Sequence, residues 1–297
     1  MILFVLMVTT FSILTPYFFG SHNLRNILTA SSVIGLMSVG ATYVIGSGGI
    51  DLATASIVAV SGVVSAWMIQ DYGIGPIAAL FISAFVGSLC GLVSGALIVV
   101  TKAPSFIVTL GMLSIVRAIA YIISGGVPIY GLSENVTELG QGSFLTLPYP
   151  AIFFIASTLL FGIVLSASRF GVQVVALGDN PNAARAMGLP VNLIQLKVYT
   201  LSGLLSGLAG FIFMARTNSG DPSAAQNYEL MAITAVILGG ANLFGGRASM
   251  LGTFLGVLSL GILQNGLNLM AVSSFYQILF VGLVLVSAAA LRRFGEP

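Results

Sequence analysis

The sequence predicts an all-α polytopic membrane protein with about ten transmembrane helices. Of its 297 residues, 57% are hydrophobic and only 6% are charged, whereas soluble domains contain about 25% charged residues. The apolar residues form continuous runs, and a helix of about 20 such residues crosses a bilayer. A membrane β-barrel would instead show alternating hydrophobicity. The 36 glycines fit the helical class, because glycine lets membrane helices pack closely.

Ten hydrophobic segments are the predicted spans of a single transmembrane domain that covers residues 1–297. The first begins at Met1 without the basic region or cleavage site of a signal peptide, so we expect an uncleaved span. The third follows a glycine-rich break and the eighth is short, so we predict that both are half-helices or strongly tilted. The ten segments are 1–19, 27–46, 52–70, 74–100, 106–124, 148–167, 193–215, 229–244, 250–270 and 275–291.

The basic residues predict that both termini are cytoplasmic. Ten spans return the chain to the side on which it starts, and the positive-inside rule places lysine and arginine in cytoplasmic loops. A cytoplasmic N-terminus leaves only Arg25 and Arg216 outside, with Arg117 inside a span. The inner side then receives Lys102, Arg169, Arg185, Lys197, Arg247, Arg292 and Arg293.

The parts outside the spans are too small for a catalytic domain. The longest are an outer loop at about 125–147 and an inner loop at about 168–192. The sequence contains no GxxxxGK[ST] phosphate loop, no HExxH motif and no cysteine-rich metal set. We therefore expect no catalytic residues, metal site or cofactor in this chain. The net charge of +2 is too small to predict nucleic acid binding.

A short helix is predicted inside the inner loop. The Asn180 side chain can accept hydrogen bonds from free amides at a helix start, and Pro181 suits the first helical position. Gly188 and Pro190 then end the helix after about two turns. A simple connector between two spans is the alternative interpretation of this helix.

The residues of this helix resemble the EAA loop of ABC importer permeases, whose short helix docks into the ATPase subunit. The run 182–188 (NAARAMG) has the matching spacing from Ala-Ala to Gly, with Asn182 where glutamate is typical. In such a helix, small alanines permit close docking and Arg185 can pair with an acidic rim. The resemblance implies that the coupling residues are Asn180, Pro181, Asn182, Ala183, Ala184, Arg185 and Gly188.

Five further stretches resemble the permease subunits of ribose-type monosaccharide ABC importers, in the branched-chain amino acid and sugar permease superfamily. Their order and spacing cover nearly the whole chain. Met231 departs from the pattern, because aspartate is usual there. The stretches are 48–52 (GGIDL), 102–111 (KAPSFIVTLG), 168–180 (SRFGVQVVALGDN), 228–240 (YELMAITAVILGG) and 265–277 (NGLNLMAVSSFYQ).

This resemblance implies a type II-like importer in a bacterial inner (cytoplasmic) membrane. Two permease subunits, either identical or homologous, would form one pathway through the lipid. A separate ATPase subunit would bind ATP and Mg and drive transport, and a periplasmic or lipid-tethered sugar-binding protein would deliver the sugar. The ending at 265–277 favours a ribose-like pentose.

Two glycine-rich interruptions are candidate gates of the pathway. Broken helices at corresponding places in two halves of a transporter often mark its pathway. The runs 44–49 and 236–242 are weakly similar, which predicts a five-plus-five inverted repeat. The alternative for Asp51 is a structural cap on the following helix. The candidate gate residues are Gly48, Gly49, Asp51, Gly239 and Gly240.

Polar side chains within the spans are candidates for binding sugar hydroxyl groups along the pathway. The alternative for the amides is interhelical hydrogen bonding, which is common in membrane proteins. The glycines 203, 207 and 210 instead predict close helix packing. The candidate pathway residues are Tyr43, Tyr121, Gln264, Asn265 and Asn268.

Two other function classes remain open, an ion-coupled secondary carrier and a passive channel for a small polar solute. Carriers usually place carboxylates or histidines at mid-membrane, and none of the eight acidic residues is predicted clearly within a span. A channel leaves the capped inner helix unexplained. The acidic residues predicted on the outer side are Asp71, Glu134, Glu138, Asp221 and Glu229.

Overall fold

The computed structural model describes residues 2–273, 275–276, 279–280 and 282–283. Most of the tenth predicted segment, 275–291, therefore lies outside the described residues. Within them, the helices are α1 (Ile2–Leu14), α2 (Ser21–Gly46), α3 (Thr54–Tyr72), α4 (Pro76–Thr101), α5 (Ser105–Ser124), α6 (Glu134–Gln141), α7 (Tyr149–Ala167), α8 (Arg169–Asp179), α9 (Pro181–Ala186), α10 (Val191–Thr217), α11 (Tyr228–Leu238) and α12 (Met250–Leu269). The two-residue strands are β1 (Ile129–Tyr130), β2 (Ser143–Phe144), β3 (Leu147–Pro148) and β4 (Ser219–Gly220).

Seven helices in the described part of the chain are long and apolar enough to cross a membrane, namely α2, α3, α4, α5, α7, α10 and α12. Two apolar helices, α1 and α11, are shorter. This confirms the predicted class, a helical membrane protein with many spans. A full count of spans needs the tenth segment.

The core of the bundle is formed by α2, α3 and α10. In the most apolar 18-residue stretch of each of these helices, 72–83% of the residues are buried. The outer helices α4, α5 and α7 are only 22–28% buried, and their exposed side chains are mostly apolar. Such a surface suits hydrocarbon or another apolar protein surface and not water.

Glycines on α4 and α10 let the backbones of the two helices contact each other directly. Gly87 and Gly91 of α4 face Gly203 and Gly207 of α10, and a Cβ added to Gly91 would lie 3.0 Å from the Cα of Gly203. A side chain at any of these four positions would push the helices apart. The predicted close packing of glycines in α10 is therefore confirmed.

The two segments predicted as irregular differ from each other. The third segment forms a full helix of 19 residues, α3, so a half-helix is the wrong interpretation there. Its weak hydropathy comes from buried serines that bond to neighbours: Ser56 donates to the Leu113 carbonyl over 2.8 Å, and Ser65 shares a 2.7 Å hydrogen bond with Ser83. The eighth segment forms α11, with 11 residues. At 1.5 Å per residue this is about 16 Å, roughly half of the hydrocarbon thickness, so the half-helix prediction is confirmed.

The predicted outer loop is ordered and anchored to α10. It contains α6, and its strand β1 pairs antiparallel with β4, which follows α10. The Asn218 side chain accepts a hydrogen bond from the amide of Leu132 over 3.0 Å. The turn after α10 is therefore held against the loop before it continues into α11.

Candidate functional site

The inner loop folds into two helices, α8 and the short α9, and the second is capped as predicted. The Asn180 side chain accepts hydrogen bonds from the amides of Asn182 and Ala183, each over 3.0 Å. Gly188 has a φ of +80°, the left-handed conformation that ends the helix. The local sequence is sufficient to form this helix because its start and its stop are both encoded within nine residues.

One face of α9 packs against its own chain. Ala184 is 0% exposed, so its small side chain serves close packing within this subunit and not contact with another protein. Ala183 and Arg185 are exposed, and Met187 is 71% exposed. A partner protein would therefore meet the side of α9 that carries Ala183, Arg185 and Met187.

A polar groove of about 460 Å³ lies beside α9. Its polar lining side chains are Lys102, Arg185, Asn192 and Gln195, from the ends of α4, α9 and α10. Among the residues that the structure describes, no acidic residue lines it. The groove therefore favours a negatively charged or carbonyl-rich partner surface.

The residues that lead into α9 contact both glycine-rich interruptions. We call the five glycines that meet here the glycine junction: Gly46, Gly48, Gly178, Gly245 and Gly246. The amide of Gly246 donates to the carbonyl of Gly46 over 3.2 Å. A Cβ added to Gly245 would lie 2.6 Å from the Gly178 carbonyl oxygen and 2.8 Å from the Gly48 Cα. Any side chain at the centre of the junction would separate α8 from the two interruptions.

The interruption after α2 is fixed mainly through Asp51. Its carboxylate accepts hydrogen bonds from the Ala53 amide over 3.0 Å and from the Ser202 hydroxyl of α10 over 2.8 Å. The residue is 4% exposed, and burial raises the pKa of the Asp51 carboxyl to about 6, while the two hydrogen bonds act in the opposite direction. These bonds tie the start of α3 to the middle of α10, which agrees with the structural alternative for Asp51, and its role as a gate residue stays a prediction.

The second predicted interruption follows α11. Gly239 packs against the backbone of Gly252 in α12, and Gly240 has a φ of +98°. A turn then forms in which the Asn242 amide donates to the Arg247 carbonyl over 3.0 Å. The predicted glycines therefore allow the chain to reverse between α11 and α12.

A third interruption, which the sequence analysis did not identify, lies between β4 and α11. This segment, residues 221–227, bends back along α5, and Arg117 of α5 holds it there. One terminal nitrogen of Arg117, Nη1, donates to the carbonyls of Pro222 and Ala224 over 2.8 and 2.7 Å. Ala225 and Asn227 have φ values of +55° and +65°. An arginine in an apolar span was the available signal, because such a residue needs acceptors within the protein.

Three of the predicted pathway residues bond to neighbouring helices. The Tyr43 hydroxyl donates to the Phe161 carbonyl over 2.5 Å, and its ring is fully buried. Asn265 exchanges two amide hydrogen bonds with Asn23, of 2.8 and 3.0 Å, and Gln264 donates to the Met231 sulfur over 3.5 Å. These contacts match the interhelical alternative.

The other two predicted pathway residues have exposed side chains. Tyr121 is 38% exposed on α5, close to Arg117, and Asn268 is exposed near the end of α12. Tyr121 lies one helical turn after Arg117 on α5.

A bundle of apolar helices with interrupted spans at several points, and with a capped helix that follows directly on a segment touching two of them, is the architecture of a membrane transport subunit. Comparison with known proteins gives the family. A model of the family described as branched-chain amino acid transport system / permease component matches residues 23–289. The chain belongs to this permease family.

Three characterised relatives show how closely the chain follows this family. It is 40% identical to the ribose import permease protein of Bacillus subtilis (strain 168), over 98% of this chain and 90% of the relative. It is 36% identical to the L-arabinose ABC transporter permease protein of Azospirillum brasilense, over 98% and 86%. Identity to the D-allose transport system permease protein of Escherichia coli (strain K12) is 34%, over 97% and 89%. No solved structure matches the chain.

Proposed function

We propose that this chain is the permease subunit of an ATP-driven ABC importer that moves a monosaccharide, preferably a ribose-like pentose, across a bacterial inner membrane. The relatives just described transport ribose, L-arabinose and D-allose by their names, and each is similar over nearly its whole length. The common substrate class is a neutral monosaccharide. ATP and Mg bind to a partner ATPase in this proposal, and this chain has no catalytic role.

The observation that carries the proposal is the contact between the C-terminal end of α8, which leads into α9, and the interrupted spans. The capped helix exposes Ala183, Arg185 and Met187. Gly178, near the end of α8 and three residues before α9, lies against both Gly46 and Gly246. A rigid-body displacement of α9 by a bound partner would therefore act through the end of α8 on the end of α2 and on the turn before α12. The coupling residues predicted from the sequence take this role, except that Ala184 acts by packing within the subunit.

The proposed assembly contains two permease copies or homologues, the ATPase and a periplasmic or lipid-tethered sugar-binding protein. The groove lined by Lys102 and Arg185 receives the ATPase on the cytoplasmic side. Ten spans, with the last at 275–291, leave both termini in the cytoplasm. The excess of basic residues on that side supports this orientation.

A five-plus-five inverted repeat is supported by a different pair of segments from the one that the sequence suggested. The runs 44–49 and 236–242 come together at one end of the bundle, where Gly46 bonds to Gly246, whereas equivalent segments of an inverted repeat lie on opposite sides. The interruptions at 47–53 and 218–227 follow α2 and α10, the second and seventh predicted spans. Their spacing of five spans fits the repeat.

The test is transport by the purified complex in proteoliposomes. The chain is co-expressed with its ATPase and binding protein, and uptake of labelled ribose, arabinose and allose is measured with ATP, without ATP, and with an imposed proton or sodium gradient. ATP-dependent uptake by a stable complex is the expected result. Gradient-driven uptake without the ATPase would establish an ion-coupled carrier instead.

A further inference from the structure

A lysine follows α4 in a backbone conformation that usually selects glycine. Lys102 has a φ of +55°, and its amide donates to the Ile98 carbonyl over 3.0 Å. Glycines occupy the same position after α3 and α5, at Gly73 and Gly125. Because a Cβ makes the left-handed conformation costly, a lysine at this turn opposes the backbone preference. The weak attraction of a helix C-terminus for a positive charge offsets only part of that cost.

The Lys102 side chain lines the groove of about 460 Å³ beside α9, together with Arg185. Both of these residues are exposed. The amide side chains of Asn192 and Gln195, near the start of α10, complete the polar lining. Hydrogen-bond donors from the ends of three helices therefore converge on one groove.

The groove carries positive charge that its own lining does not neutralise, since none of the described residues that line it is acidic. The carboxylate of Asp179, two residues before α9, lies instead against Gly246 in the glycine junction. The donors of the groove are therefore available to an acceptor from outside this subunit. A carboxylate suits this set, because it can accept hydrogen bonds from ammonium, guanidinium and amide groups at once.

The groove also connects its occupant to the helix pair α4 and α10. Lys102 directly follows α4, and Gln195 lies one turn into α10. Gly91 and Gly203 bring the backbones of these two helices into contact, so a displacement of one helix is passed to the other. A partner held by Lys102 would act on this pair directly, whereas α9 acts through the end of α8.

We propose that the groove binds a carboxylate side chain of the partner ATPase, and that Lys102 ties this partner to α4. Lys102 and Arg185 pair with the carboxylate from the ends of α4 and α9, and the amides of Asn192 and Gln195 donate to its remaining lone pairs. The ATPase thus contacts a second element of the permease besides α9. This inference rests on the proposed function and specifies the chemical group by which the partner is recognised.

The first test measures binding of the ATPase to the permease in phosphatidylcholine nanodiscs, which carry no anionic lipid. Lys102→Gln is expected to weaken binding roughly tenfold, as loss of one charge-assisted hydrogen bond does, and Lys102→Arg to keep most of the affinity. Lys197→Gln removes the same charge at an exposed position of α10 that does not line the groove, and should leave the affinity unchanged. Equal affinities for Lys102→Gln and Lys197→Gln would overturn the proposal.

Lys102→Gly separates recognition from folding. Glycine adopts the left-handed conformation readily, so the melting temperature of this variant in detergent is expected to be no lower than that of the wild type. Binding of the ATPase should nevertheless fall as it does in Lys102→Gln. A fall in melting temperature together with the loss of binding would show that Lys102 has a structural role, and the proposal would be wrong.

Carbodiimide cross-linking identifies the group that Lys102 contacts. The reagent joins a lysine amine to a carboxylate that touches it, and mass spectrometry of the complex is expected to show Lys102 linked to an aspartate or glutamate of the ATPase. Lys102→Arg should lose this link but retain binding, because a guanidinium group does not react. Absence of the link from the wild-type complex would contradict the proposal.

Two further outcomes have distinct meanings. A binding defect of Lys102→Gln that appears only in nanodiscs with anionic phospholipid would overturn the proposal and assign the groove to a lipid headgroup. If the wild-type permease binds no ATPase and shows no ATP-dependent sugar uptake, the proposed function itself has failed, and that result is read independently of the variants.

Discussion

The amide of Gly246 donates a hydrogen bond to the carbonyl of Gly46 over 3.2 Å, although 200 residues separate them in the chain. This bond joins the inner end of α2 to the turn before α12. Gly178 lies against the same two residues, three positions before α9 begins. Force applied to α9 therefore reaches two spans through backbone contacts, with no flexible side chain between them.

Gly178→Ala is expected to destabilise the protein and impair coupling. The added methyl group would overlap the Gly46 carbonyl and approach the Gly246 amide, and overpacking of this kind costs about 1–3 kcal/mol. We expect a lower melting temperature in detergent and a lower ratio of sugar transported to ATP hydrolysed. Gly111→Ala is the matched control, since nothing lies within 4 Å of a Cβ at that position. An unchanged ratio of sugar transported to ATP hydrolysed in Gly178→Ala would show that the glycine junction has no role in transport.

Local features of the fold could be predicted from the sequence, whereas the junction could not. The helix α9 follows from Asn180, Pro181 and Gly188, because capping depends on neighbouring residues. The packing of Gly203 and Gly207 follows from their spacing in one apolar span. The pairing of Gly46 with Gly246 depends on how distant helices pack, and nothing in either local sequence encodes it.

The interruption at 221–227 was missed for a related reason. Asp221, Ser223 and Asn227 have the composition of an exposed loop, so the sequence predicts that this stretch lies outside the membrane. The structure holds it against α5 because Arg117 supplies donors for two of its carbonyls. That partner is on another helix, 105 residues away from Pro222 in the sequence.

The amide pair of Asn23 and Asn265 should stabilise the contact between α2 and α12. The side chains exchange two hydrogen bonds, and the Asn23 amide also donates to the Phe18 carbonyl over 2.8 Å. Polar contacts between membrane helices average about 0.6 kcal/mol and reach about 1.7 kcal/mol. A double-mutant cycle of Asn23→Ala and Asn265→Ala, measured by unfolding in detergent, is expected to give a coupling energy in this range.

The control for this cycle is Asn135→Ala, an exposed amide on α6. Combined with Asn265→Ala, its effect is expected to be additive, because the two side chains do not interact. A coupling energy of zero between Asn23 and Asn265 would contradict the structural role of the pair and would return Asn265 to the set of pathway residues.

Asp51→Asn is expected to change how the stability depends on pH. Burial raises the pKa of the Asp51 carboxyl from its ordinary value of 3.8 to about 6. The folded protein therefore keeps a proton that the unfolded chain has already lost, so this group favours folding below pH 4 and loses that contribution as the pH rises to 6. The shift corresponds to about 3 kcal/mol, and an asparagine at this position cannot titrate.

The measurement is the melting temperature of both proteins in detergent between pH 4 and pH 8. Relative to wild type, the variant should become more stable as the pH rises to 6, with a constant difference above that value. Ser202→Ala serves as the matched variant, since it removes the hydrogen bond to Asp51 but leaves the carboxyl in place. Parallel curves for wild type and Asp51→Asn would show that Asp51 does not titrate in this range.

Asn180→Ala should weaken binding of the ATPase to the permease without preventing insertion of the permease into the membrane. The Asn180 side chain accepts hydrogen bonds from two amides at the start of α9, and loss of such a cap costs about 1 kcal/mol of helix stability. In a helix of six residues, this frays the first turn and misplaces Ala183 and Arg185. We expect less ATPase to co-purify with the permease, and less ATP-dependent uptake at equal membrane levels of protein.

Asn180→Ser restores a capping oxygen and should recover both properties, because the helix needs the acceptor and not the amide. If the serine variant were as defective as the alanine variant, the Asn180 side chain would have to contact the ATPase itself, and the cap would no longer explain its role.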